Sequence, residues 1–347
     1  MYRKFILFIG VLALASPAVP ARAQSSSAAE RAEREREKEA ERREREREAK
    51  DRAAERARER ADRDRERQRE RDERDKAGVL DTVVVFDAKG SVSVSCPGGA
   101  VIITGADKNE IRVRARTDNG AIRFSSNGSR ATLEPTSGRG CSDGHFEMTV
   151  PVGTKVVATS WSGSVSVKGV HGDIEAHSQS GDVQIRDAGA RLDIEALSGD
   201  VVVTGVKGET RISTVSGGIE LTGARGDMEI ESVSGDVDLR DVAVKQVRAH
   251  TTSGDVSFVG QIIDGGRYEF NTHSGEVVLS LPGEIGAQLS VSTFNGGIES
   301  DFPITLIAGE HGIGSSQAKR LNFTVGRVTA RISAETFSGD ITLKRRR

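Results

Sequence analysis

Aromatic side chains are scarce in this 347-residue chain, making up 4% of it with a single tryptophan. Lys and Arg number 50 and Asp and Glu 52, so the formal net charge is only −2. Proteins that bind nucleic acids normally carry a clear basic excess, so this balance argues against a nucleic-acid partner. Glycine, in contrast, is abundant at 39 residues, which suits a fold of many short strands and tight turns better than a helical globule.

Long apolar segments are missing beyond the first residues. Arg3 and Lys4 precede the apolar run FILFIGVLALA, and the segment ARA at Ala21–Ala23 fits a small-residue cleavage site before Gln24. This run is shorter than the ~20 residues that a membrane-spanning helix needs, and no cysteine near it would carry a lipid anchor. The sequence predicts a signal peptide at residues 1–23 and an exported bacterial envelope protein, in the periplasm or at the cell surface, without a transmembrane segment after cleavage.

Cysteine is nearly absent as well. In an oxidising compartment the two cysteines, Cys96 and Cys141, are predicted to form one disulfide. The alternative is a pair of separate buried thiols. Structural zinc takes four ligands, so two cysteines do not indicate a zinc site.

Residues 24–77 form a charged low-complexity spacer. From Glu30 to Lys76 the chain is almost wholly Arg, Glu, Asp, Lys and Ala, with no apolar stripe that would indicate a coiled coil. Strict alternation of sign would place like charges at i,i+4 and opposite charges only at i,i+3. These features predict a solvated, partly helical spacer, and a dedicated partner-binding helix is the alternative.

From Val79 onward, apolar and polar residues alternate with a period of two. Stretches such as TVVVFDAKGSVSVSC, with turn dipeptides at Asn119-Gly120 and Asn127-Gly128, are typical of strands and hairpins. An N-terminal β-subdomain is predicted over residues 78–154.

Residues 155–347 carry a nine-residue repeat. The units have glycine at the second place and apolar residues at the fourth and sixth, as in SGDVVVTGV followed by KGETRISTV. The ninth place is expected to return to the core, at Val206, Val215, Ala224, Val233 and Val242. Two units make one eighteen-residue coil, and such coils stack with strands about 4.8 Å apart. The sequence therefore predicts an all-β fold, a parallel β-solenoid of right-handed coils, with longer loops after Val242.

The recurring Ser-Gly-Asp is expected to be the corner at which each coil reverses. Stacking would align Ser180, Ser198, Ser216 and Ser234, with hydroxyls bonded along the axis. Glycine would supply the backbone conformation of this corner at Gly163, Gly181, Gly199, Gly217, Gly235, Gly254, Gly275, Gly296 and Gly339. Calcium is the alternative, with ligands at Asp182, Asp200, Asp236 and Asp255. Gly218 interrupts that aspartate column, and no cofactor or metal is expected.

No catalytic residues are indicated, and a non-enzymatic protein is expected. The histidines are scattered, and His177 and His250 fall at outward places of strands. Trp161 is expected to face the core, which leaves no recurring aromatic on the outside for sugar stacking. One sheet would carry an acidic strip at Glu175, Asp193, Glu195, Glu229 and Glu231, relieved by Arg211. A mixed solvated surface is expected there, and the alternative is a strip that binds a cation or a basic partner.

The order FEMTVPVGTKVVATSWSGSVSVKGVHGDIEAHSQSGDVQI resembles a family of bacterial exported β-strand-repeat proteins proposed to be adhesins, a domain of unknown function. In that family a strand ending in TVP-G leads into tandem SGDV units, and the resemblance covers about Thr82 to Leu343. It implies a β-solenoid at the cell envelope.

The same resemblance implies an adhesin-like or scaffolding role, with an envelope protein or glycan as partner. The alternative is a periplasmic envelope-stress or maintenance component that binds protein or peptidoglycan. A polysaccharide-acting β-helix enzyme ranks third.

Overall fold

The computed structural model describes residues 21–76, 78–117, 121–136, 144–303, 305–306, 319–327 and 329–346. Most of the predicted signal peptide, Cys141 and the Asn119-Gly120 dipeptide lie outside the described residues. The chain divides into two compact units, Met1–Glu70 and Arg71–Arg347, and each is described by itself.

One helix, α1 (Ala21–Lys76), accounts for the charged spacer. Its 56 residues correspond to a length of about 84 Å. The expectation that opposite charges pair only at i,i+3 was wrong, because five Glu-to-Arg or Glu-to-Lys pairs form at i,i+4, including Glu39–Arg43 at 2.7 Å. The doubled Arg42-Arg43 shifts the phase of the alternation and so places Arg43 and Arg45 four residues after Glu39 and Glu41. These exposed pairs favour the helix by a few tenths of a kcal/mol each.

The remaining elements are strands, and their alternating burial follows from the alternation of apolar and polar residues in the sequence. They are β1 (Val79–Val85), β2 (Ser91–Cys96), β3 (Ala100–Ala106), β4 (Glu110–Arg116), β5 (Ile122–Ser126), β6 (Arg130–Pro135), β7 (His145–Pro151), β8 (Lys155–Ser160), β9 (Val165–Lys168), β10 (Ile174–Ser180), β11 (Val183–Ala188), β12 (Leu192–Ser198), β13 (Val201–Val206), β14 (Thr210–Ser216), β15 (Ile219–Ala224), β16 (Met228–Ser234), β17 (Val237–Ser253), β18 (Val256–Ser274), β19 (Val277–Pro282), β20 (Ala287–Asn295), β21 (Ile298–Ser300), β22 (Thr305–Leu306), β23 (Lys319–Val325), β24 (Ala330–Ser338) and β25 (Ile341–Arg346).

The strands form two ladders of mostly parallel pairs. Ladder 1 follows the Ser-Gly-Asp corner and runs β7–β3–β9–β11–β13–β15–β17–β18–β19–β25–β21. Ladder 2 precedes the corner and runs β6–β2–β8–β10–β12–β14–β16–β17–β18–β24–β20. The long strands β17 and β18 belong to both ladders, and successive coils are in register. The predicted β-solenoid is confirmed.

Antiparallel strands extend the ladders at both ends. At one end β4 pairs with β7, β1 with β4, and β5 with β6. At the other end β23 pairs with β20 and with β22. Strands β2 and β3 stack directly on β8 and β9, so the predicted division at residue 154 falls within this stack.

The spatial order of the coils departs from their order in the sequence near the C-terminus. Strands β24 and β25 lie between β18–β19 and β20–β21. The looser spacing after Val242 was expected to reflect longer loops alone, and that expectation was incomplete. The last strands of the chain are inserted between earlier ones, and their backbone groups are paired on both sides.

The core lies between the two ladders and is built from the fourth and sixth places of each unit, such as Val201, Val203 and Ile212. The ninth place does not always return to the core as expected. After ladder 1 it is buried, at Val206, Ala224 and Val242, but Val215 and Val233 after ladder 2 are 45% and 52% exposed.

The backbone at the eighth place explains this difference. In ladder 1 that place holds a residue in the left-handed region, such as Gly205 (φ 72°) or Asp241 (φ 48°), and this turns the ninth residue inward. In ladder 2 the strand continues without such a residue. Thr214 and Ser232 therefore point inward, and Val215 and Val233 point out. For the same reason the prediction of a core-facing Trp161 was wrong, since its side chain is 65% exposed.

Candidate functional site: an axial groove beside the Ser-Gly-Asp corner

The corner serines align from coil to coil. Ser180, Ser198, Ser216 and Ser234 are register partners, and the column continues through later coils. The bonds along the column are main-chain: the N–H of Gly199 donates to the carbonyl of Ser216 at 3.1 Å. Hydroxyl-to-hydroxyl bonds between these four serines, which the sequence led us to expect, do not occur in the described part of the chain.

The nine corner glycines also form one column, in which each backbone lies against its neighbour. A Cβ atom on Gly199 would lie 2.6 Å from the carbonyl oxygen of Gly181, and Gly199 has φ 121°. Close approach between coils thus requires glycine here, in addition to the unusual backbone angle.

Buried hydroxyls satisfy the carbonyl groups of this corner. The eighth place of ladder 2 carries a buried Ser or Thr in most coils. Ser178 donates to the carbonyl of Gly181 at 2.7 Å, and Thr272 donates to that of Gly254 at 3.0 Å. Because a buried carbonyl without a partner is costly, these hydroxyls explain the Ser/Thr preference beside an otherwise apolar core.

The corner aspartates connect successive coils. Oδ1 of Asp182 accepts the N–H of Asp200 at 3.0 Å, and Oδ1 of Asp236 accepts that of Asp255 at 2.8 Å. Asp200, Asp255 and Asp340 make the equivalent bond. The calcium candidates Asp182, Asp200, Asp236 and Asp255 therefore lie on different coils, with Gly218 between Asp200 and Asp236, and each has an oxygen engaged by the backbone. The described residues contain no group of three or more His, Cys, Asp or Glu placed to hold a metal ion.

An apolar stripe runs along the solenoid axis beside this corner. It consists of the ninth places after ladder 2, which are in spatial order Trp161, Gln179, Leu197, Val215, Val233, Thr252, His273, Phe337 and Phe294. Of the nine large apolar side chains that are exposed in the described part of the chain, six belong to this stripe and three to β1. At ~4.8 Å per coil the stripe is about 38 Å long. Exposed apolar residues are normally scattered, so this concentration makes the stripe a candidate interaction surface.

A groove separates the stripe from the outward residues at the seventh place of ladder 2. It has a volume of about 820 Å³ and extends from Trp161 to Thr252. The inward-pointing residues of the eighth place form its floor. His177 and His250 point outward as expected and line the opposite wall, where Nδ1 of His177 lies 3.1 Å from Oε2 of Glu195.

Charged side chains at the neighbouring fifth place of ladder 2 form ion pairs with one another or, for Glu175, with Lys155 at the third place. Lys155 lies 2.6 Å from Glu175, and its hydrogen bond lowers the pKa of that carboxyl. Further along the axis Arg211, Glu229, Arg248 and Glu269 alternate in one ion-pair chain, with Glu229–Arg248 and Arg248–Glu269 at 3.3 Å. Arg211 first, and Arg248 with it, lower the pKa of Glu229 through hydrogen bonds. This part of the predicted acidic strip is a mixed surface.

The wall of the groove stays acidic. Among the described residues, the imidazole of His177 is the one ionisable partner of Glu195, and Glu231 has no cation within 4.0 Å. Four places of each coil flank the groove and the stripe: the seventh and ninth places of ladder 2 and the first and third places of the corner that follows. In the nine coils of the stripe, none of these places carries Lys or Arg. They carry nine carboxylates: Asp182, Glu195, Asp200, Glu231, Asp236, Asp255, Glu276, Glu335 and Asp340. From outside these places, Lys319 reaches the end coil and donates to the carbonyl of Gly296 at 2.8 Å.

Cys96 is the register partner of Ser160, one coil beyond the end of the groove. It is fully buried at the end of β2. Because Cys141 is outside the described residues, the Cys96–Cys141 disulfide stays a prediction.

Fold and surface together define a β-solenoid with an exposed axial groove. A family model matches residues 72–344, and the chain belongs to that family, Toastrack DUF4097, a β-solenoid domain of unknown function. No curated protein matches the chain. No helix among the described residues is long and apolar enough to cross a membrane.

Two solved structures are similar to this chain. One is a proposed cell adhesion protein from Clostridium sporogenes, with 9% identity, a TM-score of 0.22, and coverage of 77% of this chain and 100% of that one. The other is a proposed adhesin from Bacteroides fragilis, with 12% identity, a TM-score of 0.40, and coverage of 76% and 96%.

Proposed function

We propose that this protein is an exported, non-enzymatic component of the cell envelope that acts by binding, with an adhesin-like or scaffolding role. The observation that carries this proposal is the apolar stripe, which holds six of the nine exposed large apolar side chains of the described residues. An isolated solvated surface would scatter such residues among polar ones. A rigid solenoid with such a continuous surface suits the binding of an elongated partner.

The contact surface is tested by removing the stripe without altering the core. Leu197, Val215 and Val233 are replaced together by serine, and retention of the purified protein on isolated envelope material is compared with wild type. In the matched control serine replaces Val157, Val202 and Val278, which are outward-facing, half-buried valines away from the stripe. Loss of retention with the first variant alone supports the proposal, whereas equal retention of both variants contradicts it.

Location is tested by protease treatment of a tagged copy in intact cells and in cells whose outer barrier is opened. Cleavage in intact cells supports the adhesin-like role at the surface. Protection until the barrier is opened favours the alternative, a periplasmic maintenance component that binds protein or peptidoglycan. Absence of the tagged protein from the envelope contradicts the proposed export.

A further inference from the structure

The apolar and acidic side chains around the groove favour one class of partner over others. An inference about that class rests on the proposed function and makes it more specific. We infer that the groove takes an extended polypeptide whose side chains are a mixture of apolar and basic groups. The stripe supplies the apolar contacts, and the carboxylates on both of its sides supply the charge complement.

The aromatic end of the stripe argues against a glycan as occupant. Phe294 and Phe337 are stacked at 4.8 Å with 5° between their planes, and His273 stacks on Phe337 at 4.9 Å. Sugars pack on the faces of aromatic rings, but in this stack both faces of Phe337 and one face each of Phe294 and His273 are covered by a neighbouring ring. What the stack presents outward is ring edges, which suit aliphatic or aromatic side chains of a peptide.

The charge distribution argues for a basic occupant. Nine carboxylates and no Lys or Arg lie at the flanking places of the nine coils, while the fifth-place column nearby is neutralised by ion pairs. An acidic or neutral chain would leave this acidic field without a complement. Glu231 is poised for such a partner, because no cation of the described residues lies within 4.0 Å of it.

The spacing of the charges matches an extended chain. Glu195 and Glu231 occupy equivalent places two coils apart, since Glu195 pairs with Ser213 and Ser213 with Glu231. Two coils correspond to about 9.6 Å along the axis, which is close to one turn of an extended polyproline II chain, three residues at ~3.1 Å each, in which side chains three positions apart point the same way. A peptide with a basic residue at every third position would thus meet both carboxylates while its other side chains contact Leu197, Val215 and Val233.

The test uses the full mature chain and labelled synthetic peptides of repeating Lys-Leu-Thr, with Glu-Leu-Thr and Lys-Ser-Thr repeats as comparison peptides. We expect the Lys-Leu-Thr peptide to bind most tightly and to weaken as salt is added. The double substitution Glu195→Gln and Glu231→Gln should weaken it about fivefold. The matched control is Glu209→Gln with Glu284→Gln, exposed carboxylates away from the groove, and it should leave the affinity unchanged.

Three results would overturn the inference. One is equal binding of the Lys-Leu-Thr and Glu-Leu-Thr peptides, and another is equal weakening by both pairs of substitutions. The third is displacement of the peptide by soluble peptidoglycan fragments or by a second copy of the protein, seen as stripe-dependent dimers in sedimentation. If no peptide binds but the serine variant of the stripe loses retention on envelope material, the peptide inference fails and the proposed function stands. If neither effect is seen, both fail.

Discussion

The carboxylate of Asp200 accepts a hydrogen bond from the backbone N–H of Gly218 at 2.8 Å, although the two residues are eighteen positions apart. Gly218 stands one coil further along the axis, at the place where other coils have aspartate. The Asp of the Ser-Gly-Asp corner is therefore a connection between coils, and its recurrence has a structural cause independent of any ligand. This relationship leads to a first prediction.

Asp200→Ala should lower the stability of the solenoid by about 1 kcal/mol, because it removes this charge-assisted bond at an exposed site. Asp200→Asn keeps an acceptor oxygen and should retain most of that stability. The thermal midpoint of each variant, measured with calcium and with EDTA, provides the readout. A calcium site would instead make both variants equally unstable and make the wild-type midpoint depend on calcium.

Gly217→Ala should destabilise the protein by about 3 kcal/mol. Gly217 has φ 127°, and a Cβ atom there would overlap the carbonyl oxygen of Gly199 in the adjacent coil. The matched control is Gly218→Ala, one residue away, where the nearest atom to a Cβ would be Oδ1 of Asp200 at 3.6 Å. Denaturant unfolding should separate the two variants, and similar midpoints would show that the coils can move apart at the corner.

Tyr268→Phe should cost about 2 kcal/mol, although it removes one oxygen atom only. The buried hydroxyl of Tyr268 donates to the carbonyl of Val244 at 2.7 Å and accepts the N–H of Ile263 at 2.8 Å. Both backbone groups would lose this partner in the variant. Burial also raises the pKa of this phenol, so the tyrosine should resist ionisation near pH 10 in an absorbance titration. A variant as stable as wild type would show that water replaces the hydroxyl.

The fold was predictable from the sequence because one period is repeated many times. The fourth and sixth places gave the buried faces, and register between coils followed from the constant spacing of Ser180, Ser198 and Ser216. The insertion of β24 and β25 was not predictable, because a Ser-Gly-Asp unit matches any coil equally well. Which coils become neighbours is then determined by the path that the chain takes near its C-terminus.

The stripe was missed for a different reason. Val215 and Val206 both occupy ninth places, yet only Val206 is buried. The signal was one residue earlier: Gly205 can adopt a left-handed conformation that returns the chain to the core, whereas Thr214 continues the alternation. Reading the eighth place would have placed Trp161 and Leu197 outside. The acidic residues beside the stripe were visible in the sequence. Distinguishing them from the ion-paired residues at the fifth place required the register between strands, which only the structure shows.

The predicted disulfide can be tested by mass spectrometry after alkylation without reduction. Linking Cys96 and Cys141 would close a loop of about 45 residues, which stabilises a folded chain by roughly 4 kcal/mol on the chain-entropy account. Cys96→Ser should then lower the thermal midpoint as much as reduction of the wild type does. Quantitative alkylation of both cysteines in the native exported protein would establish the alternative of separate thiols.

Glu229→Gln should lower the thermal midpoint by a few degrees at most at neutral pH, since its partners Arg211 and Arg248 are solvent-exposed. Hydrogen bonds from these arginines lower the pKa of Glu229 in the folded state. The stabilisation is therefore present above the unfolded carboxyl pKa of about 4.3 and is lost as pH falls through the folded pKa. The difference in midpoint between wild type and variant should be constant from neutral pH down to about 5 and should vanish in more acidic solution.

Glu231→Gln on the same strand is the control, because that carboxylate lacks an arginine partner and its removal should change the midpoint little. A Glu229→Gln difference that persists in acid would show that packing of the side chain, and not its charge, stabilises the coil.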